Sequence, residues 1–430
     1  METGFSFIHA ADLHLDSPWR GFADLEQVDG DTRENILRQL RECTFAALDN
    51  IVNACVTRRA DFLVLAGDIY DLADRGLRAQ LRFQKALERL AEADVPVFVA
   101  HGNHDHHGGQ QADLGWPANT HYFAPGEVES RPVLRRGREI ARVYGISYPR
   151  REVKENYAAR FKREPDAPFA VAVLHCNVGG GAEHADYAPC TLEELIRSGF
   201  DYWALGHVHR RVVLREQGPC VVYPGVPQGR HPRETGPGCC CLVRVGPGGE
   251  PGLEFLETDA VRWEQVRVSV EDTATEQQLL EQLRSGLDRL RREHAGRSLM
   301  VRLELAGRGP LHRRLRQPGI VAGLLEELRP EYAGPAGPFL WLESLRVATA
   351  APVDRAALER EAALPADLLA IAREARRPGV MRDRLLQYLA PLYEKAGRQL
   401  PPPGDAEFDE LLSAAEETAL DLLLGEDERR

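Results

Sequence analysis

Five short apolar runs in the first half of the chain each lead into side chains of one chemical kind, and nothing else in the sequence limits the fold so much. Phe5–Ala10 is followed by Asp12 and His14 in AADLHLDS, and Phe62–Ala66 by Asp68 in LAGDIYD. Val95–Ala100 is followed by Asn103, His104 and Asp105 in HGNHD. Val171–His175 ends on His175 in VLHCN, and Tyr202–Leu205 is followed by His207 and His209 in LGHVH. These runs, with Ile140–Gly145, are rich in apolar and β-branched residues and read as strands. Between them, Asp31–Arg58 and Leu77–Ala93 space apolar residues by three and four, as amphipathic helices do. Apolar strands alternating with helices imply sheets covered by helices, hence an α/β fold. Open α/β sheets place their sites at the carboxyl ends of strands, where these polar residues stand.

Asp12, His14, Asp68, Asn103, His175, His207 and His209 form a mixed nitrogen and oxygen donor set. Such a set suits Mn, Fe or Zn better than an all-oxygen Ca or Mg cage. Seven donors are too many for one open catalytic ion. They suit two divalent ions about 3.5–4 Å apart that share a bridging carboxylate.

The remaining sequence bounds the setting. No apolar run reaches the roughly 18 residues of a membrane span, and the start METGFSFIHAADLHLD lacks a signal-peptide pattern. The eight cysteines form no CxxC pair, and Cys239, Cys240 and Cys241 are consecutive, which fits a strand in a reduced, cytoplasmic protein. The formal charge of −12 argues against nucleic acid only until its distribution is read. Residues 266–400 carry a slight basic excess, whereas residues 401–430 hold two basic and ten acidic side chains.

The chain divides at two places. Residues 1–265 hold the five polar strand ends and, after about residue 210, further strands at Val221–Tyr223, Cys239–Val245 and Leu253–Glu257. A second unit, 266–350, opens with a strand at Val266–Val270, a helix at Thr275–Arg292 and a strand at Leu299–Leu305. Arg329–Pro338 (RPEYAGPAGP) reads as a loop by composition. Residues 351–430 are helical. The break at Pro401–Gly404 precedes a helix at Asp405–Leu424 with an apolar stripe of Phe408, Leu411, Leu412, Ala415, Ala419, Leu422 and Leu423. Glu407, Glu410, Glu417 and Asp421 mark its other face. Arg308, Arg313, Arg314 and Arg316 cluster in GRGPLHRRLRQP and could contact a DNA backbone.

The pattern DxH…GDxxD…GNHD…H…GHxH resembles the signature of the calcineurin-like metallophosphoesterases. AADLHLDSPWRG, LAGDIYD, VFVAHGNHD, YWALGHVHRR and YPGVPQGRHPRETGPG are similar to the SbcD-type DNA repair exonucleases, above all their YhaO-like branch. The resemblance implies a four-layer αββα two-sheet sandwich carrying an appended α/β cap and C-terminal helices. It assigns one ion to Asp12, His14, Asp68 and His209, and a second to Asp68, Asn103, His175 and His207, with Asp68 bridging and Mn²⁺ as the favoured metal. It makes His104 a general acid that also contacts phosphate, with Asp105 orienting it. Some nucleases of the family have His three residues after the bridging Asp, where this chain has Asp71. DNA is the implied substrate, the implied partner is an SbcC-type, SMC-like ATPase gripped by the C-terminal helices, and a homodimer is compatible with both.

Two other functions share the core: hydrolysis of small phosphoesters or nucleotides, and a DNA-binding or regulatory subunit with low intrinsic activity. The appended segments favour a polymer substrate, and the complete donor set argues against a purely regulatory role. The loop Gln228, Gly229, Arg230 and His231 has no role that the sequence alone supplies.

Overall fold

The computed structural model describes residues 4–19, 25–71, 76–109, 112, 114–180, 187–360, 364–396 and 402–424. Pro401, the first residue of the expected break, and the Asp421 side chain lie outside the described residues. The chain resolves into two compact units, one of residues 1–266, 283–304 and 321–346, the other of residues 267–282, 305–320 and 347–430.

The first unit opens with β1 (Phe5–Ala10), α1 (Gly30–Thr57), β2 (Phe62–Ala66), α2 (Leu77–Glu92), β3 (Val97–Ala100) and β4 (Thr120–Tyr122). It continues through β5 (Glu129–Arg135), β6 (Arg138–Gly145), β7 (Ala170–His175), α3 (Leu192–Arg197) and β8 (Tyr202–Gly206). Four further strands follow, β9 (Val212–Arg215), β10 (Cys220–Tyr223), β11 (Cys239–Val245) and β12 (Pro251–Glu257). They build two six-stranded mixed sheets, β12-β11-β1-β2-β3-β4 and β5-β6-β7-β8-β10-β9. β1, β2, β3 and β4 run parallel in the first sheet, as do β6, β7, β8 and β10 in the second.

The unbroken apolar strands follow from burial on both faces, because alternate side chains point to opposite sides. In β2, Leu63 and Leu65 pack toward the helices with Ile51 of α1 and Phe83 of α2, while Phe62 and Val64 point the other way. There they meet Val143, Val171 and Tyr202 of the opposite sheet. Phe7 stacks on Phe62 at 4.7 Å and receives the edge of Tyr202 at 5.1 Å. The outer face of the second sheet is covered by a third cluster that includes Tyr148, Phe161, Leu195 and Trp203. The result is the αββα sandwich. Cys240 and Cys241 sit on opposite faces of β11, and the eight cysteines are free thiols.

Three more strands, β13 (Val261–Ser269), β14 (Ser298–Arg308) and β15 (Leu340–Ala350), form a sheet in that order. They are interleaved with α4 (Glu276–Glu293), α5 (His312–Leu315) and α6 (Ile320–Tyr332). The expected loop at Arg329–Pro338 is corrected here, since α6 runs on through Pro330 to Tyr332. Tertiary contacts override the local composition. The buried Arg329 guanidinium donates to the carbonyls of Leu342 and Glu343 at 2.9 and 3.2 Å and lies over the Trp341 ring. Tyr332 donates its hydroxyl to the Arg284 carbonyl at 3.1 Å.

The second unit ends in α7 (Arg355–Arg360), α8 (Leu364–Ala375), α9 (Val380–Ala396) and α10 (Asp405–Leu424). On α10 the buried residues are Phe408, Glu416 and Leu420, so the expected apolar stripe is rotated. Leu411 and Leu422 of that stripe are 45% and 72% exposed. The reason is electrostatic: Glu416 lies 2.7 Å from both Arg355 and Arg376, and Glu417 pairs with Arg308 and Arg355. Arg382 covers the Phe408 ring at 4.4 Å. The acidic face is therefore partly an internal one.

Candidate metal centre

The loop after β1 is fastened to the loop after β2 by three backbone bonds, Asp12 N–H to Gly67 at 3.0 Å, His14 N–H to Asp68 at 3.0 Å and Leu15 N–H to Ile69 at 2.9 Å. The loop after β3 joins them through Asp105, whose buried carboxylate accepts the N–H groups of Ile69 at 2.8 Å and Gly102 at 2.7 Å. His207, after β8, donates its N–H to both oxygens of Asp12 at 3.1 Å. Asp12, His14, Asp68 and His207 all take positive φ, at 55°, 44°, 52° and 98°. Two glycines make the approach possible. A Cβ on Gly67 would fall 2.4 Å from the His175 ring, and one on Gly102 would fall 2.3 Å from Asp68 Oδ1.

The hydrogen bonds of the histidines fix what they can do. His14 Nδ1 lies 3.0 Å from Asp71 Oδ1, and His209 Nδ1 lies 2.7 Å from Glu234 Oε1. His209 Nδ1 donates to its carboxylate, and the Asp71 oxygen, close to His14 Nδ1 but out of line for a hydrogen bond, favours the proton on that nitrogen too, which leaves each Nε2 with a lone pair. Those two Nε2 atoms stand 3.2 Å apart. His175 repeats the arrangement, with Nδ1 donating to the Ala66 carbonyl at 3.0 Å. Its Nε2 lone pair faces Asn103 Oδ1 at 2.9 Å and Asp68 Oδ2 at 3.4 Å. Lone pairs converge at both places, and only a shared proton or a cation holds such groups together. Adjacent donors about 2.1 Å from one ion would stand roughly 3.0–3.4 Å apart, which is the spacing seen.

Electrostatics agree. Burial and the Asp68 charge raise the Asp12 carboxyl well above its usual range. Burial and the Asp105 charge push Asp68 up to about 7. Burial brings His175 down to about 4, and burial with the Arg230 charge holds His14 well below its usual value. Neutral imidazoles beside crowded carboxylates are what divalent cations bind, so the residues present fit the expected ions.

The ligand atoms of Asp12, His14 and His209 lie within 4.8 Å of one another, and so do those of Asp12, Asp68 and His175. Asn103 joins the second group through His175. The His207 ring packs edge-on against His175 at 5.3 Å and Tyr187 at 5.4 Å. His104 is half-buried, and its backbone N–H bonds Asp68 Oδ1 at 2.9 Å. Its orientation corrects one expectation: His104 Nδ1 meets the Asp71 carbonyl at 2.8 Å, whereas the Asp105 carboxylate lies 3.2 Å from His101 Nδ1. The backbone of the neighbouring loop thus does the orienting expected of Asp105. Arg308 in the second unit is engaged with Glu417 and the Ala351 carbonyl, Arg314 pairs with Glu276 at 2.8 Å, and Arg313 and Arg316 are exposed.

Arg230, in the loop that resembles a family loop near the metals, and Glu234, which was not singled out, both belong to the centre. Burial alone would raise the Glu234 carboxyl, but the His209 bond and the Arg230 charge outweigh it and bring Glu234 down to about 2. The only sequence signal was a charged pair in an otherwise Gly/Pro-rich loop, QGRHPRETGPG.

The family described as Calcineurin-like phosphoesterase matches residues 5–211, and the family described as Metallophosphoesterase YhaO, middle domain, matches residues 263–350. Taken with the sandwich and its donor-lined strand ends, the chain belongs to the calcineurin-like metallophosphoesterases. Within them it is 42% identical over 310 residues to the uncharacterized metallophosphoesterase YhaO of Bacillus subtilis (strain 168), a match covering 72% of this chain and 74% of that one. The DNA double-strand break repair protein Mre11 of Methanopyrus kandleri is 26% identical over 310 residues, 65% of this chain and 62% of that one. Mre11 of Sulfurisphaera tokodaii is 23% identical over 217 residues, about half of either chain. Among the described residues no helix is long and apolar enough to cross a membrane.

Proposed function

We propose that the protein is a two-metal phosphodiesterase that cuts DNA at double-strand breaks, with Mn²⁺ as its best-supporting ion. What supports two ions above all is that lone pairs converge at two places, His14 Nε2 on His209 Nε2 at 3.2 Å and His175 Nε2 on Asn103 Oδ1 at 2.9 Å. The DNA reading draws on the distant likeness to the Mre11 proteins and on the segments appended after residue 265.

Asp12, His14, Asp68 and His209 would hold one ion, and Asp68, Asn103, His175 and His207 the other. Bound there, two ions make water acidic enough to attack and neutralise phosphoryl charge. The chain's own contribution is at His104. With Nδ1–H donated to the Asp71 carbonyl, Nε2 of the doubly protonated ring is the end that gives a proton to the departing oxygen. Asp105 ties the loops after β2 and β3 together and so keeps His104 beside Asp68. We assign residues 266–350 to a cap domain that contributes DNA contacts and residues 351–430 to docking an SMC-like ATPase.

The test is direct. Linear duplex DNA and p-nitrophenyl phosphate esters are offered separately with Mn²⁺. Shortening of the DNA supports the reading. Ester hydrolysis with intact DNA, with and without the partner ATPase, moves the substrate to small phosphoesters.

A further inference from the structure

Two carboxylates that are not in the expected ligand set aim the two histidines that face each other, and one guanidinium joins the carboxylates. Asp71 Oδ1 stands 3.0 Å from His14 Nδ1, an ion-pair contact out of line for a hydrogen bond, and Glu234 Oε1 accepts from His209 Nδ1 at 2.7 Å. Arg230 Nη1 donates to the same Asp71 Oδ1 at 3.0 Å and to Ser17 Oγ at 2.9 Å. The Arg230 backbone N–H donates to Glu234 Oε2 at 2.7 Å, and its Nη2 stands 3.9 Å from Glu234 Oε1. The side chain is 12% exposed. Its loop is anchored from below by Gln228, whose buried amide donates to the Gly229 carbonyl at 2.7 Å and accepts from Ala260 N–H at 2.8 Å. A backbone bond from Gly236 to Trp263 at 2.9 Å closes the loop.

His175 is aimed in another way. Its Nδ1 partner is the Ala66 carbonyl, a main-chain group of β2. His14 and His209 are therefore held by a network of charged side chains, and His175 by the sheet itself.

We infer that Arg230 is a positioning residue for one ion only, the one assigned to Asp12, His14, Asp68 and His209. This rests on the two-ion reading above. The guanidinium holds Asp71 beside His14 by a direct bond, and the Arg230 backbone N–H, with the guanidinium 3.9 Å away, keeps Glu234 turned to His209. The two carboxylates in turn keep the Nδ1 protons of His14 and His209 in place, so both Nε2 lone pairs stay turned inward. Without the guanidinium Asp71 loses its donor and is free to swing from His14, and Glu234 keeps its backbone bond but loses the neighbouring cation. The ion held by Asp68, Asn103, His175 and His207 keeps its support, because no side-chain change removes the Ala66 carbonyl. The order of loss follows: the Arg230-dependent ion goes first.

Mn²⁺ titration of the full chain tests this, followed by calorimetry and by the electron paramagnetic resonance of the bound metal. The unaltered protein should bind two ions and give the spectrum of an exchange-coupled pair. Arg230→Ala should keep one ion, weaken the other by roughly 10–100-fold, the usual scale for a group orienting a ligand, and give an isolated Mn²⁺ spectrum at limiting metal. Glu234→Gln, whose amide oxygen still accepts the His209 proton, should lose less. Equal weakening of both ions in Arg230→Ala, or unchanged affinity for both, overturns the assignment. If Arg230→Ala does not fold, Arg230→Lys carries the same comparison, since one ammonium cannot reach both carboxylates. One ion in the unaltered protein would instead refute the two-ion reading, so the two failures are told apart.

Discussion

Asp68 accepts the backbone N–H of His104 at 2.9 Å through one carboxylate oxygen while its other oxygen faces His175 and His14, at 3.4 and 3.9 Å from their Nε2 atoms. One side chain thus joins the two lone-pair groups and the loop that carries His104. Asp68→Asn preserves an oxygen for the His104 N–H but removes the charge between the imidazoles. Elemental analysis should find both ions gone while circular dichroism is unchanged. Retention of even one ion would end the bridging role.

His104→Ala removes a side chain that touches neither expected ligand set through its ring nitrogens. Both ions should remain, and turnover on poor leaving groups should fall by roughly 10²–10⁴-fold, the scale of a lost acid–base group. A p-nitrophenolate leaving group needs little proton assistance, so the loss on that ester should be smaller. Equal losses on both substrates would refute the acid.

Glu416 is buried between Arg355 and Arg376 in the second unit. Glu416→Ala strands two cations, yet both arginines reach water, so a cost of ~1–3 kcal/mol is expected, below that of breaking a fully buried pair. Denaturant melts should show the drop, with Mn²⁺ content unaltered. Deleting residues 401–430 also removes Phe408 and Leu420 and should abolish the separate melting of that unit. An ATPase pull-down that survives this deletion would place docking elsewhere.

The arginines of GRGPLHRRLRQP should separate by structure. Arg308→Ala breaks the ion pair with Glu417 and should act on stability. Arg316→Ala, at an exposed position, should weaken DNA binding alike at all sequences, lowering the salt slope by about 1 if its phosphate is no longer neutralised. An unchanged slope returns this segment to an ordinary solvated turn.

The sandwich was legible because β1, β2, β3, β7 and β8 are apolar on both faces and stop at polar residues. The edge strands β4, β5 and β9 were not, since β4 (THY) and β5 (ESRPVLR) mix polar residues into the strand and the apolar run of β9 (VVLR) is too short to stand out. Asp71 and Arg230 stood out as positions, but their joint role with Glu234 was illegible for a different reason. Arg230 lies 159 residues from Asp71, and no local spacing links a charged residue to a partner so remote. Helix α10 misled because its buried face includes Glu416, and amphipathic reasoning ranks a glutamate as outward-facing until its arginines are known. Pro330 likewise signalled a stop that the buried Arg329 overrode.

The left-handed backbone at Asp12, His14, Asp68 and His207 bears on how such a protein can be improved. Residues other than glycine are held in that conformation at a cost of order 1–3 kcal/mol each, and here the tension is sustained by the two-sheet core. Screening variants for heat resistance alone would favour glycine at these same four places. Each such gain would remove a donor from the centre. Thermal tolerance and chemistry therefore compete at four addresses in this chain, and a hardier version must be sought by reinforcing the sheets.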